Sequence, residues 1–360
     1  MLTRSKWSSQ TRFWCMVCLI LTCGYVIGES YSFTEVFSTY DDGWYLGYPA
    51  INNRGDVVFS MNGYATSSFY TVKDGVLSII GGPFNLVGAY SSLADTGTAA
   101  FSVLSGAVNG TYVPAGGAVC LGDEDNLVLI ATVESDASFS TLGIPDLNNE
   151  GTVVFFATLD GGGSAIVASN KGVLSVLATF TYQIEDPVLA NDGTIGYSQW
   201  SYGVFTLKEG VVTTIADRAS GFDGTFDEVD INDSGDVVFT AWDLDKERVL
   251  GIGDGRSLRV LTDTSGPYSA VMAPSVNNSR SVVFRASLDV GGSGIFTGND
   301  PVHDTVVCVG GSFFGSTVTA LSLNPGRAIN DSGQIVFSAV LADGKRGIFI
   351  ARPDHGEPSE

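Results

Sequence analysis

Ile231-Asn232-Asp233-Ser234-Gly235-Asp236-Val237-Val238-Phe239 reads as a strand end, a tight turn and a second strand. The chain writes this stretch seven times. The other copies are Ile51 to Phe59, Leu93 to Phe101, Leu147 to Phe155, Leu189 to Tyr197, Val276 to Phe284 and Ile329 to Phe337. Asn or Asp bends the chain through a hydrogen bond from its own side chain, and Gly takes the positive-φ position of the turn. The β-branched and aromatic run that follows suits a buried strand. Measured at the turn glycine or its equivalent, the copies fall at 55, 97, 151, 193, 235, 280 and 333, with gaps of 42, 54, 42, 42, 45 and 53. Two copies depart from the pattern, with Ala94 in place of Asn and Arg280 in place of Gly.

A repeat of this period is the mark of a stacked or circular array. Around the fifth copy four short strands follow one another: Glu228 to Asn232, Asp236 to Ala241, Arg248 to Ile252 and Ser257 to Leu261. Four strands joined by tight turns make one blade, so the expected fold is all-β, a seven-bladed propeller with four-stranded blades. The seventh copy lacks its fourth strand at the C-terminus. Phe33-Thr34-Glu35-Val36-Phe37, unassigned at the other end, is predicted to supply it and close the ring.

The region from about 31 to 353 resembles the exported bacterial proteins with tandem NxxGxxAF repeats, a choice-of-anchor family. Gly97-Thr98-Ala99-Ala100-Phe101 carries the GxxAF part literally, and Asn52, Gly55, Val57 and Phe59 carry a close variant. The unit also resembles the blades of TolB-type and WD-repeat-like propellers. The resemblance implies a fold and an exported setting, and implies no activity. Family members often end in an anchoring tail, a feature that Ala351 to Glu360 does not display.

Charge and termini set the expected location. The formal net charge is -21, from 18 Lys and Arg against 39 Asp and Glu. Arg4, Lys6 and Arg12 precede every acidic residue, so the remainder carries 15 basic against 39 acidic residues, or -24. Such a surface repels nucleic acid, which is excluded as a partner. Residues 1–28, with a basic start and the apolar run Phe13 to Ile27, read as a secretory signal peptide. Residues 29–353 are the expected propeller and 354–360 a disordered tail. The expected product is a monomer that is secreted, periplasmic or at the cell surface, with no membrane span after signal removal. Cys120 and Cys308, the cysteines beyond that signal, are expected to be buried thiols without a disulfide between them.

Function in repeat scaffolds gathers on variable loops. In a four-stranded blade the Asn-x-x-Gly turns and the turns between strands three and four share one face, and the variable connections share the other. The loops 40–48, 105–116, 220–227, 242–247 and 310–325 belong to that second face. It carries the candidate ligand-binding residues Asp41, Asp42, Trp44, Tyr45, Trp200, Phe222, Phe226, Trp242, Asp243 and Asp245. Exposed rings stack on sugars or anchor a protein, so the expected function is a non-enzymatic binding scaffold for a glycan or a protein. Alternatives are a carboxylate-based glycan hydrolase or lyase on the same face, and a structural envelope protein. No catalytic residue is assigned. Asp230, Asn232 and Ser234 match the start of a calcium loop and make calcium the candidate cofactor, although a structural turn explains the same spacing. Asp300, His303 and Asp304 form a second, weaker cluster.

Overall fold

The structure is a computed structural model that describes residues 31–64, 66–114, 116–133 and 138–354. Seven antiparallel sheets stand around one axis as the blades of a propeller. Blade 5 shows the plan. Phe222–Ile231 is innermost, followed outward by Val237–Asp243, Arg248–Gly253 and Leu258–Asp263. The expected insertion at 105–116 is built as a hairpin that prolongs blade 2, between Ala99–Val108 and Thr111–Val113. The expected signal peptide and most of the expected tail lie outside the described residues. Among the described residues no helix is long and apolar enough to cross a membrane.

The repeated turn is built as its residue types dictate. Asn232 Oδ1 accepts the backbone N–H groups of Ser234 (3.0 Å) and Asp236 (2.9 Å), and the Gly235 N–H donates to the Asn232 carbonyl at 3.0 Å. Gly235 has φ +81°, a left-handed conformation that glycine adopts without steric cost. Arg280 adopts φ +63° in the equivalent position, so the drifted copy keeps the turn. Ala94 keeps the backbone bonds without the side-chain cap. Ala190 is a third departure, where Asp192 Oδ1 takes over by accepting the Thr194 N–H at 2.9 Å.

Both faces of each blade are covered by a neighbour, so the second strand is a continuous apolar run rather than an alternating one. Along Val57-Val58-Phe59, residues 57 and 59 pack against blade 7 and residue 58 against blade 2. Seven hydrophobic clusters result, each straddling one pair of adjacent blades. The last aromatic of each repeat sits in a different one: Phe59, Phe101, Phe155, Tyr197, Phe239, Phe284 and Phe337. One conserved-in-place ring per repeat therefore seals each junction.

Tyr31–Thr39 pairs antiparallel with Arg346–Pro353 and is the outermost strand of blade 7, so the N-terminal strand closes the ring. Phe33 meets Phe313 edge-on at 5.0 Å, and Phe37 meets Phe59 of blade 1 at 5.3 Å. Glu35 accepts an ion pair from Lys345 at 2.9 Å. The cysteine expectation needs correction in part. Cys120 is a free buried thiol, but Cys308 is disulfide-bonded, and not to Cys120.

Candidate functional site: the axial channel and the variable-loop face

The residue after the first turn position is Asn or Asp in all seven repeats, and in space these residues form a closed rosette at the axis. The Asn53 N–H donates to Asp95 Oδ1 (2.8 Å), Asp95 to Asn149 (2.7 Å), Asn149 to Asn191 (2.8 Å) and Asn191 to Asp233 (2.7 Å). Asp233 donates to Asn278 (2.8 Å), Asn278 to Asp331 (2.9 Å), and Asp331 back to Asn53 (2.9 Å). The sequence separations of successive partners, 42, 54, 42, 42, 45 and 53, are the repeat spacings themselves. Each blade thus caps the backbone of its neighbour at the narrow end of the channel.

Above the rosette the channel is crossed by Asn324-Pro325-Gly326-Arg327, the end of the 310–325 insertion. Asn324 Nδ2 donates to the Ser91 carbonyl of blade 2 at 3.3 Å. Arg327 grips Asp146 of blade 3 with two bonds, Nε at 2.9 Å and Nη2 at 2.6 Å, and reaches the Leu189 carbonyl of blade 4 at 2.8 Å. The Gly326 N–H donates to Pro274 of blade 6 at 3.0 Å, and the Ile51 N–H of blade 1 donates to the Arg327 carbonyl at 3.1 Å. A Cβ on Gly326 would sit 3.5 Å from Asp230 of blade 5. The segment is therefore hydrogen-bonded to blades 1, 2, 3, 4 and 6 and acts as an axial plug. Its sequence looked like part of a surface loop, and nothing local announces where it ends.

On the variable-loop side of the plug lies a cavity of about 250 Å3, lined among others by Glu185, Asp186, Glu228, Asp146 and Arg327. Burial raises Glu185, with Asp227 and Glu228 adding to it, and burial also raises Glu228. Burial pushes the Asp186 carboxyl up to about 7, although the Ile144 N–H opposes it. Asp230, 1% exposed, is likewise pushed up to about 7 by burial, with Arg327 opposing. An unfolded Asp titrates near ~4. Between about pH 4 and 7 the folded protein thus holds protons that the unfolded chain has released, and stability falls as pH rises through that window. Ion-paired acids held low, such as Glu35 and Asp223, contribute stability above the unfolded carboxylate range and lose it only below. The protein is therefore expected to be more stable at pH 5 than at pH 8, by ~2 kcal/mol after discounting the 1.4 kcal/mol per unit for water reaching the cavity. Melting at constant ionic strength checks this, and an equal or lower melting temperature at pH 5 would refute it.

The residues expected to bind a ligand are dispersed among several environments. Phe222 and Phe226 are removed from the exposed face, because both are buried in the cluster between blades 4 and 5. Trp44 is half-buried over Gly63, where a Cβ would lie 2.9 Å from its ring. Trp242 is half-buried. Asp41 Oδ1 accepts the Gly43 N–H at 2.9 Å, and Asp42 is exposed beside it. Asp243 Oδ1 accepts the N–H groups of Asp245 (2.8 Å) and Glu247 (3.0 Å), so this carboxylate is committed to holding its own loop. Tyr45 and Trp200 are exposed.

The calcium pattern has a different geometric meaning. Asp230 accepts the Ile231 N–H (2.8 Å), the Val276 N–H (2.8 Å) and the Ser275 hydroxyl (3.1 Å), joining blade 5 to blade 6. Asn232 spends its oxygen on the turn, and Ser234 is exposed. The three do not converge on one point. His303 contacts Asp300 at 2.8 Å on an exposed loop. Among the described residues no group of three or more His, Cys, Asp and Glu is placed to hold a metal ion.

What the variable-loop face does gather is aromatic surface. Tyr40, Tyr45, Tyr64, Tyr112, Tyr182, Trp200, Tyr202 and Phe314 are the exposed rings among the described residues, with Tyr64 98% and Trp200 60% exposed. Seven of them lie in connections between second and third strands or between successive blades, and Tyr45 opens the first strand of blade 1, opposite Asn62 at the end of the second. The face of Asn-x-x-Gly turns has none of them. Tyr182 and Tyr202 stack at 5.9 Å, with Trp200 in the same loop as Tyr202.

No family model matches the chain, and no curated relative matches it. Solved structures do. The chain is similar to a puromycin-hydrolyzing peptidase from Mycobacterium tuberculosis, with TM-score 0.57 and 12% identity over 92% of this chain and 56% of that one. It is similar to a catalytically inactive virginiamycin B lyase from Staphylococcus aureus with quinupristin, with TM-score 0.52 and 11% identity over 89% and 99%. It is also similar to TolB from Acinetobacter baumannii, with TM-score 0.44 and 11% identity, where it spans 64% of that chain's length. At such identities the likeness to the peptidase and the lyase is one of fold alone.

Proposed function

We propose that the chain is an exported binding scaffold whose variable-loop face takes a glycan. The segregation of all eight exposed rings onto that one face supports this reading. A folded chain leaves large rings in water at a cost in unburied apolar area, and clustering on one face is what a stacking surface requires. Tyr182, Trp200 and Tyr202 offer the densest platform, and Gln183, Gln199 and Ser201 lie beside them in the chain as polar partners for sugar hydroxyls. The resemblance to exported NxxGxxAF-repeat proteins agrees with this reading.

The hydrolase or lyase alternative needs two carboxylates flanking a bound sugar. Asp243, an acid of this face, is occupied by its own loop. A glycan array probed with the purified protein, followed by titration of the best hit, tests the proposal. Trp200→Ala is expected to weaken binding about tenfold, the ~1.4 kcal/mol characteristic of a lost aromatic anchor. Unaltered melting would show that the ring serves binding rather than folding. An array without a hit, or a Trp200→Ala variant that binds like the parent, would overturn the reading and direct the search to protein partners.

A further inference from the structure

The cavity above the axial plug carries features that a surface stacking site does not use. Its walls are apolar at Pro145, Val188 and Val229, and acidic at Glu185, Asp186 and Glu228. The cation that lines it, Arg327, is already engaged by Asp146. Two further arginines act on Glu228, but Arg248 is paired with Asp227 at 3.1 Å and Arg285 donates to the Leu321 carbonyl at 3.3 Å. The charges felt by Glu185 are those of Asp227 and Glu228, and the charge felt by Asp186 is that of Glu185, so every one is negative.

A second observation is independent of these acids. Ser91, 3% exposed, lines the same cavity, and its Oγ is buried without a hydrogen-bond partner. Buried hydroxyls are nearly always satisfied, and one left open beside a cavity points to a group that completes it. Tyr90 also lines the cavity, with its ring stacked on Tyr48 at 4.5 Å.

We propose that this cavity binds a small organic ammonium ion whose N–H groups reach the acids and Ser91 Oγ and whose carbon body lies on the prolines and valines. A divalent cation is a poorer match to the same walls. Calcium needs six to eight oxygens at roughly 2.3–2.6 Å, whereas Asp186 is tied to the Ile144 N–H at 2.8 Å and Glu228 to the Ala273 N–H at 2.7 Å, on different blades. An ammonium needs only two or three acceptors, and the aromatic ring of Tyr90 in the lining favours a cation of this kind. At about 250 Å3 the cavity is below the usual range for drug-sized ligands, which limits the guest to a few carbons.

The test is calorimetric titration and melting of the purified protein with butylammonium, putrescine and tetramethylammonium chlorides, against sodium and calcium chlorides at matched ionic strength. Butylammonium or putrescine is expected to bind and raise the melting temperature, and tetramethylammonium, which has no N–H to donate, to bind at least tenfold more weakly. Glu185→Gln with Glu228→Gln is expected to reduce affinity at least tenfold. Ser91→Ala, which removes the hydroxyl and adds no bulk, is expected to reduce it about threefold, and it serves as the deciding variant if the double variant does not fold. No binding of any ammonium, a response to calcium alone, or undiminished binding by the variants would each overturn the assignment. Trp200→Ala should leave ammonium binding intact, which separates this site from the glycan face.

Discussion

Arg327→Ala is expected to lower stability by about 3 kcal/mol, a loss typical of breaking a buried ion pair by removing one partner. Asp146 would keep the N–H groups of Leu147 (2.9 Å) and Leu189 (2.6 Å), which moderates the penalty. It would lose both guanidinium bonds, and the Leu189 carbonyl would lose its donor. The plug would also lose its hold on blades 3 and 4, so the loss spreads through the hub. At roughly 2–4 °C per kcal/mol for a domain of this size, the melting temperature should fall by about 6–12 °C. Adding Asp146→Asn should return about half of the loss, because an amide in that place carries no unpaired charge. A loss below ~1 kcal/mol, or a double variant no better than the single one, would show that the ion pair does not hold the hub together.

Deleting residues 31–40 is expected to do more. The strand Arg346–Pro353 would become an open edge, with its outward N–H and C=O groups unpaired from residue 346 to 353. The edge-on contacts of Phe33 with Phe313 and Phe337, and the tilted contact of Phe37 with Phe59, would go with it. So would the pair between Glu35 and Lys345. A loss above ~5 kcal/mol approaches the whole net stability of a domain. The truncated chain should therefore unfold, or associate through the exposed edge, as read by light scattering and melting. A synthetic peptide of residues 31–40 added in trans should restore the monomer. A truncated chain that is monomeric with unchanged melting would refute the closure.

The architecture was legible because it depends on short-range chemistry repeated in register. Asn or Asp followed three residues later by Gly favours a turn, and seven copies at spacings of 42 to 54 residues leave little but a ring. The closing strand was legible for the same reason, since counting four strands per blade left one vacancy and one unassigned strand. The rosette was also written in the chain, because the residue after the first turn position is Asn or Asp in every copy. It went unrecognised because a side chain that caps the next blade looks the same in sequence as one that caps its own turn.

The site divides along the same line. The sequence by itself determined which connections would face one way and that they would be aromatic. It could not say which rings stay in water: Phe222 and Trp200 sit in similar loops, yet the first is buried between blades and the second is exposed. Asp230 looked like a calcium ligand beside Asn232, and the tertiary structure turns it toward Ser275 and Val276 of the next blade. Arg327, Asp146, Ser91 and Glu185 come from four blades, and no local pattern links them. Burial, ion pairing and the axial cavity arise only when the ring closes, because each is set by neighbours 42 to 278 residues away in the chain.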